Sequence, residues 1–160
     1  MTNFHDLYAR YAKDVYRYAC WLSGSADGAD DITSETFARA WVGRSDIRTE
    51  TVKAYLFAIA RNLYLKQLRH DKYQISLNPH QADPQPAPEQ LVESRLELTR
   101  AMQMVQKLAE VDRTAFLLRV QHELSYEEIA RVMQLPLTTV KVKIHRARLK
   151  LAAIQIGENE

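Results

Sequence analysis

Four of the chain's five prolines, Pro79, Pro84, Pro86 and Pro88, fall within ten residues. The stretch Asn78-Pro-His-Gln-Ala-Asp-Pro-Gln-Pro-Ala-Pro88 holds almost nothing that can be buried, so it cannot offset the entropy of ordering and reads as a linker. Residues 73–88 would reach about 50 Å if extended. The division predicts two modules, 1–72 and 89–156, each so small that it would be only marginally stable alone. No glycine occurs between Gly43 and Gly157. Glycine and proline together make up nine of 160 residues, roughly half the usual share, which argues against an all-β fold with many tight turns. The expected class is all-α: two small helical domains joined by a proline-rich linker.

Periodicity supplies the helices. Phe4, Leu7, Tyr8, Tyr11, Val15, Tyr18 and Leu22 recur at steps of three and four, and Ser23 to Gly28 breaks that face. A second helix is expected from about Asp27 to Val42, with Asp27, Asp30 and Asp31 where the helix dipole favours acids and with Ile32, Thr36, Phe37, Ala40 and Trp41 inward. After a polar loop, a third runs from about Val52 to His70. The second module opens with a helix from about Glu89 to Leu108, apolar at Leu91, Leu98, Met102, Val105 and Leu108, and Asp112 is the expected N-cap of the next, through about Gln121. Ser125-Tyr-Glu-Glu128 spells a capping box, flanked by Leu124 and Ile129 as a hydrophobic staple. That short helix ends near Met133, Gln134-Leu-Pro136 makes a turn, and a last helix runs from about Leu137 to Ile154.

The last helix carries the strongest local charge. Ile144, Ala147 and Leu151 lie within about 40° of Val140 around its axis, a narrow inward stripe. Lys141, Val142, Lys143, His145, Arg146 and Arg148 face outward, and between Lys141 and Lys150 there are five basic residues and no acid, on a chain whose formal charge is only +2. A capped helix, a three-residue turn and a basic helix with a thin apolar seam form a helix-turn-helix whose second member fits the major groove; the small Ala130 suits the close crossing. The bland alternative is a solvated basic face. Near the helix start, Lys141, His145 and Arg146 suit base edges; Lys143, Arg148 and Lys150 suit phosphates; Thr138 and Thr139 suit either. On the third helix Tyr55, Asn62, Lys66 and Arg69 share a stripe that reads either as a solvated face or as a strip that stacks on bases and holds a backbone. Trp21 and Trp41 read as packing residues.

Other classes are poorly supplied. One cysteine, Cys20, leaves no intrachain disulfide and no cysteine-cluster zinc site. The five histidines show no metal-binding spacing, no glycine-rich phosphate loop is present, and Asp30 and Asp31 are helical neighbours that diverge, so no enzyme and no cofactor is expected. The longest uncharged, mainly apolar run, Ala54 to Ala60, falls far short of the roughly 20 residues of a membrane span. His5 and Asp6 stand where a secretory signal would carry lysines, so a cytoplasmic setting without membrane insertion is expected.

The segments 29–41 (ADDITSETFARAW), 54–62 (AYLFAIARN), 112–119 (DRTAFLLR), 124–130 (LSYEEIA) and 139–148 (TVKVKIHRAR), in that order with a proline-rich break between, resemble the extracytoplasmic-function sigma factors of bacterial RNA polymerase. The resemblance covers about residues 4–153. It implies that Asp31, Ser34, Glu35 and Arg39 contact the polymerase, with the β′ clamp helices and β flap as docking partners. Loop 44–52 and the residues Lys53, Tyr55, Asn62, Lys66 and Arg69 would open and read the −10 element of promoter DNA, while the helix-turn-helix would read the −35 element. It further implies an anti-sigma partner. Four positions depart from the usual pattern: Ser34 for glutamine, Lys66 for aspartate, Gln134 for the turn glycine, and Val142 for serine, which offers a thymine methyl an apolar contact. A free-standing helix-turn-helix regulator accounts equally well for 112–153 but not for the acidic-entry helix or the stripe at 55–69.

Overall fold

The structure, a computed structural model, describes residues 3–46, 52–77 and 93–159. Among them every regular element is helical: α1 (Phe4–Ser23), α2 (Ala29–Val42), a 3-10 turn (Arg44–Asp46), α3 (Val52–Leu77), α4 (Glu93–Gln106), α5 (Glu110–Val120), α6 (Tyr126–Met133) and α7 (Leu137–Asn159). The proline-rich stretch lies outside the described residues, as do Leu91 and the start expected for the fourth helix at Glu89.

Asn3 caps α1, its side chain accepting from the Asp6 amide at 2.8 Å. Gly24, at φ 79°, ends it by donating to the Cys20 carbonyl. A Cβ on Gly24 would sit 2.7 Å from Gln106 Cγ, so the residue serves both the left-handed turn and the close approach of α4. Gly28, also left-handed, opens α2, whose buried face is Ala29, Ile32, Thr33, Thr36, Phe37 and Ala40. Trp41 is half-buried; the Phe4 ring meets its edge and the Arg44 guanidinium lies over its face at 4.2 Å. Phe4 and Tyr8 stay 40% and 44% exposed, so the apolar face of α1 is only partly covered at its start.

Three expectations change. The third helix does not stop at His70 but continues to Leu77, into the stretch expected as linker, because no proline or glycine halts it before Pro79. The helix after α4 begins at Glu110, with Ala109 as N-cap; Asp112 is not the cap but lies buried in the first turn. The last helix runs past Ile154 to Asn159. The capping box forms as read: the Ser125 side chain accepts from the Glu128 amide at 3.1 Å, and the Glu128 carboxylate accepts from the Ser125 amide at 3.2 Å. Leu124 and Ile129 are both buried. Gln134 closes α6 in the left-handed region, φ 54° and ψ 48°, where the sequence lacks the glycine that such a backbone favours. Glu123, at φ 59°, is a second non-glycine residue there.

The larger departure is in how the two helical groups sit together. A chain read as two bodies on a strap has one contiguous core, in which Tyr18, Leu22, Phe57 and Tyr64 of the first group join Val105, Leu117, Leu118, Leu124 and Ile129 of the second. Helix α1 packs on α4 and α5, and α3 packs on α6. Polar groups lock this seam. The Arg113 guanidinium is buried and donates to the carbonyls of Leu22 (2.8 Å), Gln106 (3.2 Å), Leu108 (3.0 Å) and Val105 (3.3 Å) and to the Tyr64 hydroxyl (3.2 Å). Gln106 Nε2 adds bonds to the Trp21 and Leu22 carbonyls at 2.9 and 3.1 Å. The last carbonyls of a helix lack partners within it; here residues of the second group supply partners to the end of α1. Arg61 and Glu110 pair across the same seam at 3.3 Å.

Candidate nucleic-acid and polymerase interfaces

The helix-turn-helix consists of α6 and α7, braced by α5. Val140, Ile144 and Ala147 are buried, the inward stripe drawn from spacing. Opposite them Thr138, Lys141, Val142, His145, Arg146 and Arg148 are exposed, with Thr139 and Lys143 half-buried. The convex basic surface thus faces solvent, with Val142 at 54% exposure as an apolar spot among the cations. Tyr126, at the start of α6, holds Arg119 over its ring at 4.6 Å and Lys141 at 5.8 Å, an arrangement that orients Lys141 by attraction to the ring face. Lys143 is drawn aside: its Nζ lies 3.8 Å from Oδ1 of the buried Asp112. Arg148 stands at the rim of a groove of about 580 Å³ between α1, α4, α5 and α7, also lined by Arg17, Trp21, Met104, Phe116 and Val120.

In the first group Asp31, Ser34, Glu35 and Arg39 are exposed along α2, as the heptad-like spacing of its buried face requires. Arg39 reaches back one turn to Glu35 at 2.8 Å. Asn62, Lys66 and Arg69 are exposed on α3, while Tyr55 is only half-exposed and packs against the core beside Gly43. The structure unites two sets that the sequence kept apart: Asp31, Glu35, Lys66 and His70 line one cleft of about 270 Å³ between α2 and α3, with Ile32 and Leu63 at its floor. Of loop 44–52, residues 47–51 lie outside the described residues. Lys53 turns toward the second group, its Nζ donating to the His122 carbonyl at 2.8 Å.

Sequence reasoning missed the seam. Arg113, Gln106 and His122 carry no pattern that marks them: single polar residues on two helices and in a turn give no period to detect. His122 is buried between the groups, its ring 4.6 Å from that of Phe57 and 5.6 Å from that of Tyr18. Burial, and then the positive charges of Lys53 and Arg17, hold its pKa down at about 3, so it is neutral. Burial likewise raises the pKa of Tyr18 and, with Arg113 opposing, that of Tyr64. Among the described residues there is no cluster of three or more metal-ligating side chains, and no helix is long and apolar enough to cross a membrane.

An all-α chain with a capped helix, a turn and an exposed basic helix, joined to a bundle with its own charged surfaces, is a DNA-binding protein of the helix-turn-helix class. Residues 7–73 match the profile of sigma-70 region 2, and residues 98–151 that of sigma-70, region 4. The ECF RNA polymerase sigma factor SigW of Bacillus subtilis is 31% identical over 160 residues, covering 91% of this chain and 84% of SigW. The fold superposes on the sigma factor RpoE solved with the anti-sigma factor NepR from Bartonella quintana (TM-score 0.82, 24% identity, 95% of this chain and 96% of RpoE). It also superposes on CnrH solved with the cytosolic domain of CnrY (TM-score 0.74, 26% identity, 96% of this chain and 88% of CnrH). The chain belongs to the extracytoplasmic-function sigma factors, the promoter-recognition subunits of bacterial RNA polymerase.

Proposed function

We propose that the first helical group docks on core polymerase and reads the −10 element while residues 89–156 read the −35 element, with the segment after Leu77 as the tether. The observation that carries this division is the exposed convex face of α7, basic and apolar by turns, set apart from the acidic edge of α2. Asp31, Ser34, Glu35 and Arg39 make the polymerase contact. Asn62, Lys66 and Arg69, with Lys53 and Tyr55 at the start of α3, meet the −10 strand. Thr138, Thr139, Lys141, Val142, His145 and Arg146 face the −35 bases; Lys143 and Arg148 lie nearer the backbone.

The role is binding and strand opening without covalent chemistry in this chain. Each DNA contact alone is small, and joining them on the polymerase raises the effective concentration of the second once the first is made. Holding such a factor inactive calls for a protein inhibitor, and the complex of the similar CnrH with a cytosolic domain of CnrY supports one here. A free-standing regulator leaves the first group of helices without a task. The two differ in an electrophoretic shift assay: a promoter fragment is expected to be retarded specifically only when core polymerase is present. Specific nanomolar binding by the chain alone would favour the free-standing regulator.

A further inference from the structure

The seam between the two helical groups is built around a titratable plug. The turn after α5 inserts His122 into a pocket formed by Tyr18 of α1 and Phe57 of α3, leaving it 3% exposed. His122 Nε2 and the Tyr18 hydroxyl are both buried without a hydrogen-bond partner among the described residues. The contact is therefore apolar packing of an imidazole against two rings, a good site for a neutral ring and a poor one for a charged ring. Its surroundings are cationic. Lys53 of α3 donates to the His122 carbonyl, and Arg17 of α1 is close enough to oppose a charge on the ring. Arg61 and Glu110 beside Tyr18 pair with each other. In the turn itself Glu123 is exposed.

We propose that His122 is the pH-sensitive latch of a self-closed sigma factor: neutral, it adds to the Arg113, Gln106 and Arg61–Glu110 contacts that hold the two helical groups together and keeps Lys53 occupied; charged, it leaves the Tyr18–Phe57 pocket and shifts the balance toward parted groups. The seam contacts are the connections among the described residues that must break. Opening frees Lys53 and the first turn of α3. That consequence for DNA rests on the −10 assignment above, whereas the opening itself does not.

The sign follows from linkage. The closed form lowers the imidazole pKa from the ordinary value of about 6.5 to about 3, so the closed form binds fewer protons. Its contribution to closure is complete above about 6.5 and is lost as the pH falls through the window toward 3. Between pH 7.5 and 5.5 the ratio of closed to open chain is expected to drop about tenfold.

Small-angle scattering of the full chain, with far-UV circular dichroism in parallel, tests this. The radius of gyration is expected to increase on acidification from pH 7.5 to 5.5 with helix content unchanged. His122→Phe keeps the ring and removes the charge, so it is expected to remain compact at both pH values. An unchanged wild-type radius, expansion of H122F equal to the wild type's, or expansion accompanied by loss of helix would each overturn the latch. Should H122F not fold, the His122 imidazole resonance of the wild type decides: its protonation is expected to rise in step with the radius of gyration, and either change without the other would refute the proposal. None of these readouts involves promoter DNA, so they stand or fall separately from the −10 assignment.

Discussion

Gln134 shows what one residue's backbone angles imply. It occupies the left-handed region at the end of α6, its amide donating to the Ala130 carbonyl, in the tight turn that sets the angle between the helices of the DNA-binding motif. A side chain with a Cβ pays a steric cost there of roughly 1 kcal/mol that glycine escapes. Gln134→Gly is therefore expected to stabilise the chain by about 1 kcal/mol, read as a higher thermal midpoint; a lower midpoint would show that the Gln134 side chain contributes more than its strain costs. The same position was legible in the sequence as an unusual turn, because a turn residue is constrained by chemistry within a few bonds. Glu123, also left-handed, was not legible, since no turn dipeptide surrounds it.

At the scale of elements, the recognition helix exposes Lys141, His145 and Arg146 on one face while Val140, Ile144 and Ala147 are buried on the other. A cation on a phosphate releases counterions and lowers the salt slope by about one when removed, whereas a bidentate cation on a base edge costs roughly 1–3 kcal/mol and relaxes specificity. Arg146→Ala is expected to weaken holoenzyme binding to promoters with a −35 element at least about tenfold, with a far smaller effect where that element is mutated. Binding titrations over a salt series check this; equal losses on both templates would make Arg146 a phosphate contact. The pairing of Lys143 with Asp112 was invisible from the helix alone. A helical wheel places Lys143 outward, but it does not place α5 beneath it, and in the sequence alone Asp112 reads as a cap.

For the whole molecule, the seam decides stability. Arg113 serves carbonyls of both helical groups from one buried guanidinium, and an unmatched buried carbonyl costs about 1–3 kcal/mol. Arg113→Met keeps much of the side chain's bulk but leaves the Val105 and Leu108 carbonyls without its hydrogen bonds, so urea unfolding is expected to lose about 2–4 kcal/mol and to separate into two transitions. A single transition of unchanged midpoint would mean that apolar packing alone joins the groups. The sequence by itself determined that the described elements are helices, the capping box of α6 and the basic face of α7, because each depends on neighbours within a turn or two of the chain. Only the tertiary structure decided that α1 and α3 share a core with α5 and α6, that Lys53 faces His122 and that Asp31 and Lys66 share a cleft. Those contacts join residues about 35 to 90 positions apart, and across such distances partners are selected by shape and by unmet carbonyls rather than by any periodicity the chain carries.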